Sequence, residues 1–203
     1  MCKHVVKGFL AGLLISMGCI IYTMCSSKLL GSFLFSFGLF AILHLGLNLY
    51  TGKIGYLVTN FNWNYIKELV YTFIGNVIGA LFTAFMIRFT RIDLSAIQSV
   101  VDIKVSDDLV SIFILSFFCG ILMFLGVDLF KNSESFLSKI LSVVFVVMIF
   151  ILSGFEHCVA NMFYFFFVNN YNILYLFTMV LGNTCGSLFI CYFMNMIRQN
   201  KKD

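Results

Sequence analysis

The chain has 203 residues, of which 61% are hydrophobic and 11% are charged, and its formal net charge is +4. It contains 26 Phe against 13 Lys plus Arg, and its mean hydropathy is +1.01. Because so few charges cannot cover so much apolar surface in water, the composition argues against a soluble enzyme, a disordered segment, a nucleic-acid-binding protein and a secreted disulfide scaffold. The class that remains is an integral membrane protein, with one transmembrane domain over residues 1–203.

Long uncharged stretches separate the clusters of charge and predict six transmembrane helices. A helix needs roughly 20 apolar residues to cross about 30 Å of hydrocarbon. A strand barrel would require alternating apolar and polar residues, and runs such as 143–152 do not alternate. In chain order, the predicted spans are 5–26, 29–58, 65–88, 108–130, 139–168 and 171–197.

The second and fifth spans are longer and more polar at their centres than the others. Each has about 30 residues, which is more than one straight crossing needs. The central polar residues are Asn48, Tyr50, Thr51 and Lys53 in the second span, and Glu156, His157 and Asn161 in the fifth. Such segments are typical of interrupted helices whose free backbone groups line a cavity. The positive amino termini of half-helices favour an anion in that cavity.

The two halves of the chain resemble each other weakly. At a displacement of about 108 residues, glycines align in pairs: Gly12 with Gly120, Gly18 with Gly126, Gly46 with Gly154, and GNVIG at 75–79 with GNTCG at 182–186. Since each half holds three spans, the second half must cross the bilayer upside down. We therefore expect an aquaporin-like pair of inverted repeats at about 5–90 and 108–197, an architecture that transporters use. The glycines themselves are expected to serve close helix packing.

The distribution of basic residues predicts the orientation in the membrane. With the amino terminus inside, nine basic residues face the cytoplasm and four face outward. The inner set is Lys3, Lys7, Lys53, Lys67, Lys131, Lys139, Arg198, Lys201 and Lys202, and the outer set is Lys28, Arg88, Arg91 and Lys104. The sequence therefore predicts a multi-pass protein of the cell membrane with both termini in the cytoplasm.

Glu156 and His157 stand out because residues 140–168 contain no other charged side chain. An ionisable group at membrane depth is costly and marks a transport pathway by default. The alternative is a neutral histidine that bonds a neighbouring helix, which the adjacent acid makes less probable.

The run GFEHCVANM at 154–162 closely resembles the signature of the formate/nitrite transporter family. The run GLNLYTG at 46–52 is similar to that family's other broken-helix motif, and GNVIG at 75–79 is similar to its third span. The resemblance extends from about Phe9 to the sixth span. It implies an aquaporin-like fold of six helices, a homopentamer with one pore per subunit, and passage of small monovalent anions such as formate, nitrite or hydrosulfide.

Carried over residue by residue, the resemblance assigns His157 as the central pore histidine, Thr51 as its hydrogen-bonding partner and Lys104 as a vestibule lysine that attracts anions. Glu156 and Asn161 complete the predicted polar site. The apolar constrictions fall at Leu39, Tyr50 and Phe150, with Phe35, Leu49 and Met123 beside them. The chain departs from the family at Asn48, Tyr50 and Gly120, where an acid, a phenylalanine and an asparagine are usual; these departures bear on substrate preference.

The expected mechanism follows from the cost of moving a bare carboxylate past apolar rings. Lys104 would concentrate the anion, and desolvation would raise its proton affinity. The anion would then take a proton from solvent or from His157 and pass as the neutral acid. The expected partners are the small anion, protons, the lipid bilayer and further copies of the chain, with no cofactor, metal or nucleic acid.

Two other functions compete with anion transport. A neutral small-solute channel of aquaporin type would share the architecture, but a chain without Pro cannot contain that family's Asn-Pro-Ala motifs. A membrane enzyme could use His157 as base and Cys158 as nucleophile, yet the sequence offers no orienting third group. We therefore expect a transporter and not an enzyme.

Overall fold

The computed structural model describes residues 1–170 and 172–200, so Lys201, Lys202 and the first residue of the predicted sixth span lie outside the described residues. Every regular element within the described ranges is helical, as the composition predicts. The α-helices are α1 (Cys2–Met24), α2 (Lys28–His44), α3 (Tyr50–Lys53), α4 (Trp63–Ile87), α5 (Ala96–Ser106), α6 (Leu109–Asn132), α7 (Phe136–Leu152), α8 (Cys158–Phe167) and α9 (Ile173–Gln199). A 3-10 helix, Ile54–Val58, continues directly from α3.

Polar residues in the connecting segments start several of these helices. Ser27 accepts a hydrogen bond from the Leu30 backbone N–H, and Asn62 accepts one from Tyr65. Asp108 accepts from two backbone N–H groups at the start of α6. Such N-caps satisfy donors that a helix cannot pair internally, which places the helix starts at short polar segments between apolar runs.

Four of the described helices, α1, α4, α6 and α9, are long and apolar enough to cross a membrane. The second and fifth predicted spans are interrupted instead. In the second, α2 ends at His44 and α3 begins at Tyr50; we call residues 45–49 the first break. In the fifth, α7 ends at Leu152 and α8 begins at Cys158; residues 153–157 form the second break. The additional residues of each long span therefore form a second, short half-helix.

In each half of the chain, two long helices pack closely against each other. Helix α1 packs along α4, and α6 packs along α9 in the same way. A side chain at Gly79 would overlap the Phe9 carbonyl oxygen, and one at Gly186 would overlap the Phe117 carbonyl oxygen. The glycines of the two GNxxG segments thus bring backbones together, as predicted. The outward surface is rich in exposed Phe, Leu and Ile side chains, as a lipid-facing or subunit-facing surface requires.

Candidate functional site

The second residue of each break is a glycine in the left-handed backbone region. Gly46 has φ +62° and Gly154 has φ +70°. After each glycine, the next backbone N–H bonds back into the preceding helix, from Leu47 to the Ile42 carbonyl at 2.8 Å and from Phe155 to the Phe150 carbonyl at 2.9 Å. Glycine is the residue that adopts this conformation without strain. The chain can therefore leave α2 and α7 sharply and run extended toward the next half-helix.

Two buried asparagines hold the extended segments in place. The Asn76 side chain accepts from the Tyr50 backbone N–H at 2.9 Å and donates to the carbonyls of Gly8 at 2.8 Å and Asn48 at 3.0 Å. All the polar atoms of this amide are thereby paired, and Asn76 is fully buried. It satisfies backbone groups of the first break that lipid could not pair.

Asn183 holds the second break in the same way. Its side chain accepts from the Cys158 N–H at 2.8 Å and donates to the carbonyls of Ser116 and Glu156, each at 2.8 Å. Every partner lies about 108 residues beyond its counterpart around Asn76. Sequence reasoning read the GNxxG segments only for their glycines and missed these amides. The available signal was a polar residue in the middle of each otherwise apolar span.

His157 is the residue that begins the half-helix α8. Its Nδ1 accepts from the Ala160 backbone N–H at 3.2 Å, and its Nε2 lies 2.9 Å from the Thr51 hydroxyl oxygen. Because a backbone N–H can only donate, Nδ1 carries no proton, and the neutral ring holds its proton on Nε2. The Nε2–H therefore donates to Thr51, which leaves the Thr51 hydroxyl proton available to another acceptor.

The predicted pair of His157 and Thr51 thus meets across the two breaks, 106 positions apart in the chain. Both side chains are buried, with His157 1% and Thr51 0% exposed. The ring nitrogens of His157 face Thr51 and Ala160, and neither faces the Cys158 thiol. The base and nucleophile pair that an enzyme would need is therefore not formed.

Lys104, Glu156 and Asn161 form a second polar cluster beside His157. Helix α5 carries Lys104, whose ammonium donates to both Glu156 carboxylate oxygens at 2.8 Å and 2.6 Å. The Asn161 amide donates to Glu156 Oε2 at 2.7 Å and to the His157 carbonyl at 3.0 Å. The sequence predicts Lys104 as a vestibule lysine that attracts anions. The structure shows in addition that the buried carboxylate of Glu156 compensates the charge of Lys104.

Phe35, Phe150 and His157 form a row of neighbouring rings in the buried centre of the site. The rings of Phe35 and Phe150 meet edge to face at 5.9 Å, and Phe150 lies 5.7 Å from the imidazole. The predicted constriction residues Leu39, Leu49 and Met123 are likewise buried. Tyr50 differs from them, because its hydroxyl makes a 2.9 Å hydrogen bond to Thr184 on α9.

Two cavities lie on either side of this centre. The first, about 310 Å³, is lined by Lys104, Glu156, His157, Asn161 and Phe150 among others; we call it the Lys104 vestibule. The second, about 360 Å³, lies near the amino terminus and includes Leu49 and the charged residues Lys3, Lys7, Lys53, Glu68 and Lys131; we call it the terminal vestibule. Of the residues that the structure describes, none lines both cavities. His157 lines the Lys104 vestibule and does not line the terminal vestibule.

Comparison with known proteins gives a consistent result. The family model described as "Formate/nitrite transporter" matches residues 1–197. The chain is 27% identical over 181 residues to the formate channel FocA of Haemophilus influenzae, covering 77% of this chain and 63% of that one. It is 26% identical over 187 residues to FocA of Escherichia coli K12, covering 79% and 66%. The chain thus aligns with less than two thirds of the length of either relative.

Solved structures share the fold. A structure described as a pentameric formate channel with formate bound has a TM-score of 0.83 at 22% identity. The match covers 98% of this chain and 97% of the chain in that structure. An FNT family ion channel has a TM-score of 0.80 at 22% identity, covering 97% and 88%.

Proposed function

Since the chain belongs to the formate/nitrite transporter family, we propose that it carries formate, or a similarly small monovalent anion such as nitrite or hydrosulfide, across the cell membrane as the conjugate acid. The observation that carries this proposal is the buried contact between His157 and Thr51, made where the two breaks meet and between two vestibules. This arrangement gives one polar point in an otherwise apolar conduit.

The proposed architecture is six membrane crossings in two inverted repeats, with α2 to the 3-10 helix and α7 to α8 as the interrupted crossings. The matched contacts of Asn76 and Asn183, and the matched packing of α1 on α4 and α6 on α9, support it. We further propose a homopentamer, which the pentameric assembly of the similar formate channel supports. The excess of basic residues near the termini supports an orientation with both termini in the cytoplasm.

The contacts of His157 favour solvent as the source of the proton. A doubly protonated ring would point an N–H from Nδ1 at the Ala160 N–H, so the N-cap opposes the imidazolium form. The anion would instead be protonated in the vestibule, where the charge of Lys28 raises its local concentration. The neutral acid then passes Phe35 and Phe150 without the cost of dehydrating a charge.

Thr51 has a direct role in this mechanism. Because its hydroxyl oxygen accepts from His157 Nε2, its own proton is free to donate to the carbonyl oxygen of the passing acid. One donor in a dry conduit compensates part of the hydration that the acid has left. His157 in this arrangement orients the hydroxyl and stays neutral throughout transport.

The test is formate uptake into proteoliposomes that contain the purified protein, measured across a series of pH values. We expect uptake to rise as the pH falls, because the acid fraction rises. Thr51→Val keeps the shape of the side chain and should lower uptake about tenfold, the effect of one lost hydrogen bond. Thr178→Val, at a partly exposed position of α9 where the hydroxyl donates to the Leu174 carbonyl, is the matched control and should leave uptake unchanged.

His157→Asn distinguishes the two proton sources. Asparagine is a good N-cap, so the variant should fold, transport more slowly and keep the pH dependence of the parent. A flat pH profile in this variant would instead place His157 in the proton path. A pore that passes urea equally well at every pH, and formate not at all, would favour the neutral-solute channel.

A further inference from the structure

Asn161 carries a buried hydrogen-bond acceptor without a partner. Both hydrogens of its amide are used, one toward Glu156 Oε2 at 2.7 Å and one toward the His157 carbonyl at 3.0 Å. Because these two partners can only accept, the amide cannot be turned around, and Oδ1 must face the other way. Among the described residues, no group donates to this oxygen.

An unpaired acceptor in this position is unusual. Asn161 is only 2% exposed, and buried polar atoms are nearly always hydrogen-bonded, because leaving one unpaired is costly. Asn48, Asn76 and Asn183, the other buried asparagines in or near the breaks, use their oxygens as well as their nitrogens. Asn161 is thus the one amide among these whose acceptor has no partner. This indicates that a permeating molecule supplies the donor.

Asn161 also lies where a permeating molecule would meet it. It lines the Lys104 vestibule together with His157 and Phe150, and it is one helical turn from His157 on α8. The charges of Lys104 and Glu156 are paired with each other, so the lining of this cavity combines a compensated ion pair with the neutral side chain of Asn161.

We propose that Asn161 Oδ1 is the specificity-determining acceptor that binds the O–H group of the protonated substrate acid at the inner end of the Lys104 vestibule. A carboxylate has only acceptor atoms and is repelled by an amide oxygen, whereas its conjugate acid has one O–H donor. Before this contact forms, the anion takes its proton from a hydronium ion of the solvent, which is left as water. The vestibule therefore admits the anion at its mouth and selects the acid at its inner end.

This inference deepens the proposed function and rests on it. Asn161 would then accept from the hydroxyl of the acid in the vestibule, and the Thr51 hydroxyl would donate to its carbonyl oxygen as the acid passes. A molecule that offers no such donor would lose the contact with Asn161 while keeping the contact with Thr51.

The direct test is difference infrared spectroscopy of the reconstituted protein with ¹³C-formate at near-neutral pH. An isotope-sensitive band of a protonated carboxyl group, at a pH where free formate is ionised, is the expected signature of bound acid. Asn161→Leu removes the acceptor and should abolish this band and lower formate uptake about tenfold. Asn161→Ser serves if the leucine variant does not fold, since a serine hydroxyl bonds its own helix and is too short to replace Oδ1.

Asn132→Leu is the matched control. The Asn132 amide also donates to a backbone carbonyl and a carboxylate, both of Asp128, at 2.8 Å and 3.1 Å, but it lies at the end of α6 outside both vestibules. This variant should keep the acid band and the uptake of the parent.

The outcomes separate the inference from the proposed function. A parent protein that takes up formate but binds it only as the ionised carboxylate would overturn the inference alone. So would an Asn161 variant that transports slowly yet keeps the acid band, because a purely structural role predicts that result. Absence of formate uptake by the folded parent would overturn the proposed function itself.

Discussion

The two breaks share one backbone design and differ in the side chains placed on it. In each, a left-handed glycine ends the first helix and a buried asparagine from a neighbouring helix pairs the extended segment. In each, a backbone N–H of the break also reaches α1 or α6, from Asn48 to Lys7 and from Glu156 to Leu115, both at 3.4 Å. The common design therefore solves a common problem, that of unpaired backbone at membrane depth.

The polar and ionisable side chains of the candidate site are concentrated at the second break. The residue before α3 is Leu49, which has no polar atom with which to cap a helix, whereas the residue before α8 is His157, whose ring caps it. The ion pair beside the second break, Lys104 with Glu156, is nearly buried, while Lys53 with Glu68 beside the first is more exposed. The difference supports the proposal that the two breaks share one scaffold and that the second is specialised for the substrate.

The strongest test of the shared design is to remove both asparagines in turn. Asn76→Leu and Asn183→Leu each leave one backbone donor and two carbonyls without their amide partner, at about 1–3 kcal/mol for each group that stays unpaired. We expect neither variant to yield folded protein, measured by size-exclusion chromatography and thermal unfolding in detergent. Asn132→Leu should fold normally. If one of the two variants folds like the parent, the breaks are not equivalent in structure.

A smaller effect should separate the two ion pairs. Glu156→Gln leaves Lys104 without its carboxylate in a buried site, and such losses are about 3–5 kcal/mol. Glu68→Gln removes the partner of Lys53 where water can replace it, which should lower stability by about 0–1 kcal/mol. The midpoint of thermal unfolding should therefore fall clearly in the first variant and little in the second. Equal shifts would contradict the proposed specialisation of the second break.

The sequence predicted an all-helical membrane protein and the positions of two helix interruptions. Excess length and central polar residues located both breaks, because a bilayer allows polar groups at depth only where the chain is interrupted or paired. The contact between Thr51 and His157 was accessible only through the resemblance to a known family. Neither hydropathy nor spacing specifies which side chains meet across 106 positions.

Side-chain hydrogen bonds were the part that the sequence could not supply. Lys104 was expected as a vestibule charge, but its pairing with Glu156 depends on how α5 packs against α8. The open Oδ1 of Asn161 depends on both amide hydrogens being used elsewhere. Such details follow from tertiary geometry, which several arrangements of the same spans would satisfy differently.

An effect smaller than the loss of Glu156 comes from the glycines of the two breaks, and it isolates backbone conformation from packing. A Cβ at Gly154 would meet nothing within 4 Å, and one at Gly46 would meet only the Lys7 ammonium at 4.0 Å. Gly46→Ala and Gly154→Ala should each cost about 1–2 kcal/mol, the penalty of a side chain in the left-handed region. Asparagine tolerates that region better, as Asn169 does in this chain at φ 57°, so Gly154→Asn should be less destabilising than Gly154→Ala. Thermal unfolding of the three variants measures this order, and an alanine variant as stable as the parent would mean that the break can form without the left-handed turn.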